Sequence, residues 1–174
     1  YEPMTTLKAP LLFSYDLLRC PITDQDRHYV DTGEATNNIR RIWENTGSTE
    51  LFLQLLNQMP KGEESTFYEH EMDGLDNPPE AFAQAAREYY GIKDFKGIYV
   101  KGKEEESSQS EKILERRGYK SIAYPNSKFI RESLSKIGLC EASEILEKIT
   151  YSSYTRDTSI EDYKQEDFPS CACR

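Results

Sequence analysis

The sequence predicts a single α/β or α+β domain in which a small, partly parallel sheet is packed by amphipathic helices. Three observations carry this. Residues 97–137 show strand, helix, strand and helix signals in succession, each closed by a turn residue. Flanking segments repeat apolar residues at helical spacing. No apolar run approaches the roughly 20 residues that a membrane helix requires, and the mean hydropathy is −0.77. At 174 residues one hydrophobic core suffices without covalent staples.

Taken in order, residues 1–10 read as an irregular lead-in. Leu11 to Leu18 is apolar and aromatic and is expected to be a strand of the central sheet, ended by Cys20-Pro21. The polar, aspartate-rich loop from Thr23 to Gly33 holds His28. Ala35, Ile39, Ile42 and Trp43 then follow a helical period that stops at Gly47. Leu51, Phe52, Leu55, Leu56 and Met59 form the face of a second helix that opens at Ser48 or Thr49 and ends at Pro60. Residues 61–77 are acidic and turn-rich, with a short strand expected at Ser65-Thr66-Phe67-Tyr68. Asn77-Pro78-Pro79-Glu80 is a helix start, with Asn77 as its cap and proline in the first turn. The face that follows (Ala81, Phe82, Ala85, Ala86, Tyr89, Tyr90) carries small alanines suited to close packing on a sheet, and Gly91 stops it.

The organising stretch comes next. Gly97-Ile98-Tyr99-Val100 reads as a buried strand, and Ser108-Gln109-Ser110-Glu111 has the form of a capping box, in which hydroxyl and carboxylate each satisfy a free backbone N–H. That helix runs to Arg116 and Arg117, and Gly118 supplies its left-handed stop. Tyr119 to Tyr124 alternates as a second strand, and Ser127 caps a helix whose stripe is Phe129, Ile130, Leu134 and Ile137. A helical connection between adjacent strands makes them parallel with a right-handed crossover. Ligands of open parallel sheets sit beyond the carboxyl ends of the strands, which singles out residues 101–107 and 125–127 and, within them, Lys101, Lys103, Asn126 and Ser127 as binding candidates. Leu139, Ala142, Ile145, Leu146 and Ile149 form a last helix, after which the period disappears. The expected organisation is a domain at 1–150 and a polar tail at 151–174 tied down by disulfides.

A net charge of −9 opposes electrostatic capture of nucleic acid or anionic lipid, which depends on clustered Lys and Arg. Neither nucleic acid nor membrane is therefore an expected partner. Cys20, Cys140, Cys171 and Cys173 are even in number, the pattern of two disulfides in an exported protein. Cys171 and Cys173 are too close to bond each other without strain, so the expected pairings tie the tail to Cys20 and Cys140. Four reduced thiols would instead place the protein inside a cell. Residue 1 is Tyr rather than Met, as expected of a processed or trimmed chain.

The chemistry-bearing patterns are sparse. Gly97 to Lys103 imitates a phosphate-binding loop but places Glu104 where a magnesium-binding hydroxyl belongs. Glu69-His70-Glu71 with Asp73 reads as a solvated acidic loop, because adjacent residues do not converge on a cation; no metal site is expected. The succession of His28-Tyr29, the Ile39/Ile42 helix, Ser65 to Tyr68, the alanine–tyrosine helix and Ile98-Tyr99-Val100 resembles the order of elements in ADP-ribosyltransferase toxins. That resemblance implies NAD as cofactor, held by His28, Ser65 and Tyr68, with Glu104 or Glu106 orienting the ribose for attack.

Twelve tyrosines in an acidic chain suit a contact surface, since tyrosine offers large area at small entropic cost. The leading expectation is a small secreted or effector-like protein that binds another protein, one with a basic surface, through a tyrosine-rich acidic face. The alternatives are an NAD-consuming enzyme of the ADP-ribosyltransferase kind and an intracellular α/β domain with a metabolite pocket at the strand ends. No cofactor is expected outside the NAD alternative.

Overall fold

A computed structural model describes residues 9–17, 32–61, 67–103 and 108–157. They form one α/β domain. Its elements are α1 (Thr32–Glu44), α2 (Thr49–Asn57), a 3₁₀ turn (Tyr68–His70), α3 (Glu80–Tyr90), β1 (Ile98–Val100), α4 (Gln109–Arg116), β2 (Lys120–Ile122), α5 (Lys128–Lys136) and α6 (Ala142–Asp157). The strands β1 and β2 pair in parallel with Ile98 opposite Lys120, Tyr99 opposite Ser121 and Val100 opposite Ile122. Helix α4 makes the crossover between them.

Alternation along β1 divides the interior. Val100 and Ile122 enter the larger core, built on Ile39, Trp43, Phe52, Leu55, Phe82, Phe129 and Leu134 from α1, α2, α3 and α5. Tyr99 points the other way, into a smaller core with Leu114 of α4 and Ala142 of α6. Successive side chains of a strand face opposite sides, so three residues are enough to serve both cores. Aromatic rings connect the larger one: Trp43 lies 5.3 Å from Phe13, 4.9 Å from Phe52 and 6.2 Å from Phe129, and Phe52 lies 5.3 Å from Phe82.

The local signals explain most helix boundaries. Ser48 Oγ accepts from Leu51 N at 3.3 Å to start α2. The capping box of α4 is complete, with Ser108 Oγ accepting from Glu111 N and Glu111 Oε2 accepting from Ser108 N, both at 3.2 Å. Ser127 caps α5, and Gly118 takes the positive φ of 83° that ends α4.

Elsewhere tertiary contacts override the sequence pattern. Residues 11–17 are not a strand; they bend, because the amides of Leu12 and Phe13 donate to the Glu69 carboxylate rather than to a neighbouring strand. The last residue of that expected strand, Leu18, lies outside the described residues, as do Ser65 and Thr66. Phe67 is extended, but Tyr68 already begins the 3₁₀ turn. The cap position of α3 is Pro79, which has no side-chain acceptor; Asn77 is held by its own amide, which donates to Glu44 Oε1 at 3.3 Å. Helix α3 packs chiefly on α2, and its Ala85 and Ala86 join the larger core. Leu139 to Glu141 precede α6 instead of opening it: Val100 N donates to Cys140 O at 2.9 Å, and Val100 bridges Glu141 in parallel on the edge of β1 away from β2. Helix α6 then continues past Ile149 to Asp157, although the apolar period is spent. A helix already nucleated adds one backbone bond per residue at little cost.

Among the described residues no disulfide occurs, and Cys140 is a buried free thiol. No helix among the described residues is long and apolar enough to cross a membrane.

Candidate functional site

A buried polar cluster sits where the 3₁₀ turn meets the start of α5. The fully buried Glu69 carboxylate accepts from Leu12 N, from Phe13 N and from Tyr15 Oη at 2.9 Å. Tyr15 Oη in turn accepts from Trp43 Nε1 at 2.9 Å. Burial raises the Tyr15 pKa, and the adjacent Glu69 charge adds to this. Next to Glu69, His70 Nδ1 lies 3.0 Å from Ser127 Oγ. That hydroxyl accepts from Ile130 N at 3.2 Å and donates to His70 O at 3.4 Å, which leaves it to accept from a protonated Nδ1. His70 Nε2 is buried without a hydrogen bond. Desolvation lowers the His70 pKa, with the Gln58 carbonyl and Glu69 opposing. This cluster has serine, histidine and carboxylate in succession, yet every oxygen in it already serves the fold.

The open site lies beside the carboxyl end of β1. A cleft of about 480 Å³ is lined by Arg40 of α1, residues 73–76, Val100, the α5 residues Arg131, Glu132, Ser135 and Lys136, then Leu139, Cys140, Glu141 and Glu144. Its size falls within the range of ligand pockets, roughly 300–1,000 Å³. One wall is the loop over α5: Gly74 N donates to Glu132 Oε2 at 2.7 Å and Leu75 N to Ser133 Oγ at 2.9 Å. A Cβ at Gly74 would lie 2.5 Å from Glu132 Cβ and 2.8 Å from Ser133 N, so only glycine permits this approach. Most of the charges are paired. Arg40 pairs with Asp76 at 3.4 Å, and Lys128 pairs with Asp73 and with Glu132. The Lys128 ammonium lowers the Asp73 pKa, mainly through its hydrogen bond. Arg131 reaches away to Pro125 O at 3.4 Å and stacks over the Tyr124 ring. Lys148 Nζ lies 3.2 Å from Cys140 Sγ, and this contact raises the Lys148 pKa.

A second, more open groove of about 600 Å³ runs between α4 and α6, lined by Ser110, Ser143, Leu146, Glu147, Thr150 and Tyr151. Tyr151 is 76 % exposed there.

The structure distributes the sequence candidates widely. Ser127 is 1 % exposed and is an internal cap. Asn126 is half-buried, and Lys101 and Lys103 are exposed at the end of β1 without lining the cleft. Lys101 N extends the ladder by donating to Ile122 O at 3.0 Å. Tyr68 Oη lies 2.7 Å from Thr36 Oγ1. His28, Ser65, Glu104, Glu106, Cys20, Cys171 and Cys173 lie outside the described residues. Among the described residues no group of three or more His, Cys, Asp or Glu could hold a metal ion.

The cleft residues Lys136, Cys140 and Glu141 escape a sequence reading because Leu139 to Glu141 look like the first turn of a helix. Gly138, with φ of 96°, is the signal that the chain turns there before the helix begins. The chain matches no protein-family model, no curated protein and no solved structure.

Proposed function

We propose that this chain is a small secreted or effector-like protein that acts by binding, and that the α4–α6 groove is the face it offers to a partner protein with a basic surface. The observation that carries this is Tyr151, a large aromatic 76 % exposed on a groove that also holds the carboxylate of Glu147. A phenol face beside a carboxylate suits Arg or Lys, which gain a cation–π contact and an ion pair together. A net charge of −9 draws such a partner in at long range. Among the described residues the exposed tyrosines are Tyr89 of α3 and Tyr151 of α6; Tyr15, Tyr68, Tyr90, Tyr99 and Tyr119 pack against the cores, and Tyr124 is half-buried with Arg131 over its ring.

The test is a titration with an arginine-rich synthetic peptide followed by NMR. Shifts are expected at Ser143, Glu147 and Tyr151. Tyr151→Ala should weaken binding about 5- to 30-fold, the loss of one interface anchor, while Glu88→Lys on α3 leaves it within about twofold. Shifts spread evenly over the acidic surface, or equal affinity in the Tyr151 variant, would refute the groove.

Export belongs to the same proposal and has its own readout. Alkylation of denatured protein without reductant should block Cys140 and one of the two tail cysteines, and leave a disulfide between Cys20 and the other, Cys171 or Cys173. Reaction of all four thiols would move the protein to a reducing compartment. A second function, small-molecule binding, is favoured by the position of the 480 Å³ cleft at the carboxyl end of β1.

A further inference from the structure

We infer that the cleft beside β1 binds a free apolar α-amino acid as its zwitterion; this rests on the small-molecule reading of that cleft. The argument begins with which charges are already spent. Arg40 is paired with Asp76, Asp73 and Glu132 share Lys128, and Arg131 is held by Pro125 O and the Tyr124 ring. Glu144 lies close enough to Lys148 to act on its charge. What is left on the lining without a side-chain hydrogen bond or ion pair among the described residues is one cation, Lys136, and two anions, Glu141 and Glu144, the second with the Lys148 charge acting on it.

Unpaired charges of both signs in one cleft select against a simple ion. A lone carboxylate would satisfy Lys136 and meet Glu141 as a like charge; a lone ammonium would do the reverse. A ligand carrying both groups satisfies both, and like-charge juxtaposition excludes its half-charged analogues. Leu75, Val100 and Leu139 give the inner wall an apolar character, which suits a branched aliphatic side chain. A volume of about 480 Å³ is ample for one. The α-carbon brings ammonium and carboxylate together only in a free amino acid, since each end of a peptide retains just one of them.

The experiment uses the full chain and three probes of nearly equal shape: L-leucine, isoamylamine, which lacks the carboxylate, and 4-methylpentanoate, which lacks the ammonium. Affinity is read from chemical-shift changes at Val100, Leu139 and Cys140. L-leucine should bind at least about tenfold tighter than either analogue, the discrimination of one buried charge contact. Lys136→Gln should erase the advantage of L-leucine over isoamylamine while keeping its advantage over 4-methylpentanoate. Glu141→Gln should do the opposite, and a residue that merely supports the fold would not produce this crossed pattern. Equal or tighter binding of either analogue overturns the zwitterion and leaves the cleft a small-molecule site. No shift with any of the three overturns both.

Discussion

Glu69 is the residue on which the amino-terminal segment depends. Its carboxylate is fully buried and takes hydrogen bonds from two backbone amides and a tyrosine hydroxyl, so water has no access to it once those partners are in place. Bonds to a charged acceptor contribute more than neutral ones, and leaving buried donors unpaired costs their desolvation. Glu69→Gln should destabilise the fold by about 2–4 kcal/mol, read from the urea midpoint, and should speed hydrogen exchange at Leu12 and Phe13 first. Loss of stability without early exchange at those two amides would show that the carboxylate does not hold the segment.

His70 gives a pH dependence of known sign. Burial lowers its pKa in the folded state, so the unfolded chain binds the proton more readily. Its contribution is therefore fully present above the unfolded value of about 6.5. It is lost as pH falls from there through the lowered folded value. Urea midpoints measured from pH 8 down to pH 5 should decline over that interval, and His70→Gln should flatten the decline. A midpoint that rises as the pH falls would contradict the buried, unpartnered Nε2.

At the scale of elements, Gly74 and the two serine caps show what tertiary contact adds to local code. Gly74→Ala places a methyl group against Glu132 Cβ and the α5 backbone, so the loop must lift. A cost of about 1–3 kcal/mol is expected in thermal unfolding, together with loss of the protection at the Gly74 and Leu75 amides. An unchanged melting temperature would mean that the loop stands off α5.

The cap of α4 was readable from the spacing Ser108 to Glu111 because every partner lies within one turn. Ser127 was equally readable as a cap. Its second role, receiving His70 from a position 57 residues away, has no local sign. The strand expected at residues 11–18 failed for the same reason: Glu69, a distant and formally hydrophilic residue, supplies the acceptors that a neighbouring strand would have supplied. The cleft was not legible: no described residue of the loops singled out after the strands, 101–107 and 125–127, lines it, and of β1 only Val100 does. Its charges come from α1, the loop at 73–76, α5, α6 and Glu141, and the extended edge from Leu139 to Glu141 is set by pairing with Val100, which the sequence around Cys140 does not encode.

At the scale of the molecule, the described residues build two cores that share a narrow sheet. The larger holds α1, α2, α3 and α5; the smaller rests on Tyr99, Leu114 and Ala142 under α4 and α6. A small core has few contacts to lose before it opens, so the α4–α6 side should be the less stable part. Leu114→Ala is expected to raise hydrogen exchange throughout α4 and α6 while α2 and α3 keep their protection. Equal acceleration in all four helices would show that the two cores unfold as one. This division also places the proposed partner-binding groove on the softer half and the cleft at the seam, where Val100 and Cys140 join β1 to the entry of α6.

Trp43 is the one tryptophan of the chain, and it stands where the amino-terminal segment, α1, α2 and α5 meet, with its indole N–H on Tyr15. Its fluorescence is thus a private optical signal for that junction. Emission should be blue-shifted in the native protein, and in Glu69→Gln it should move to the red at urea concentrations where the helical circular dichroism has not yet changed. The chain carries, without labelling, a lamp that reports whether its first described segment is seated.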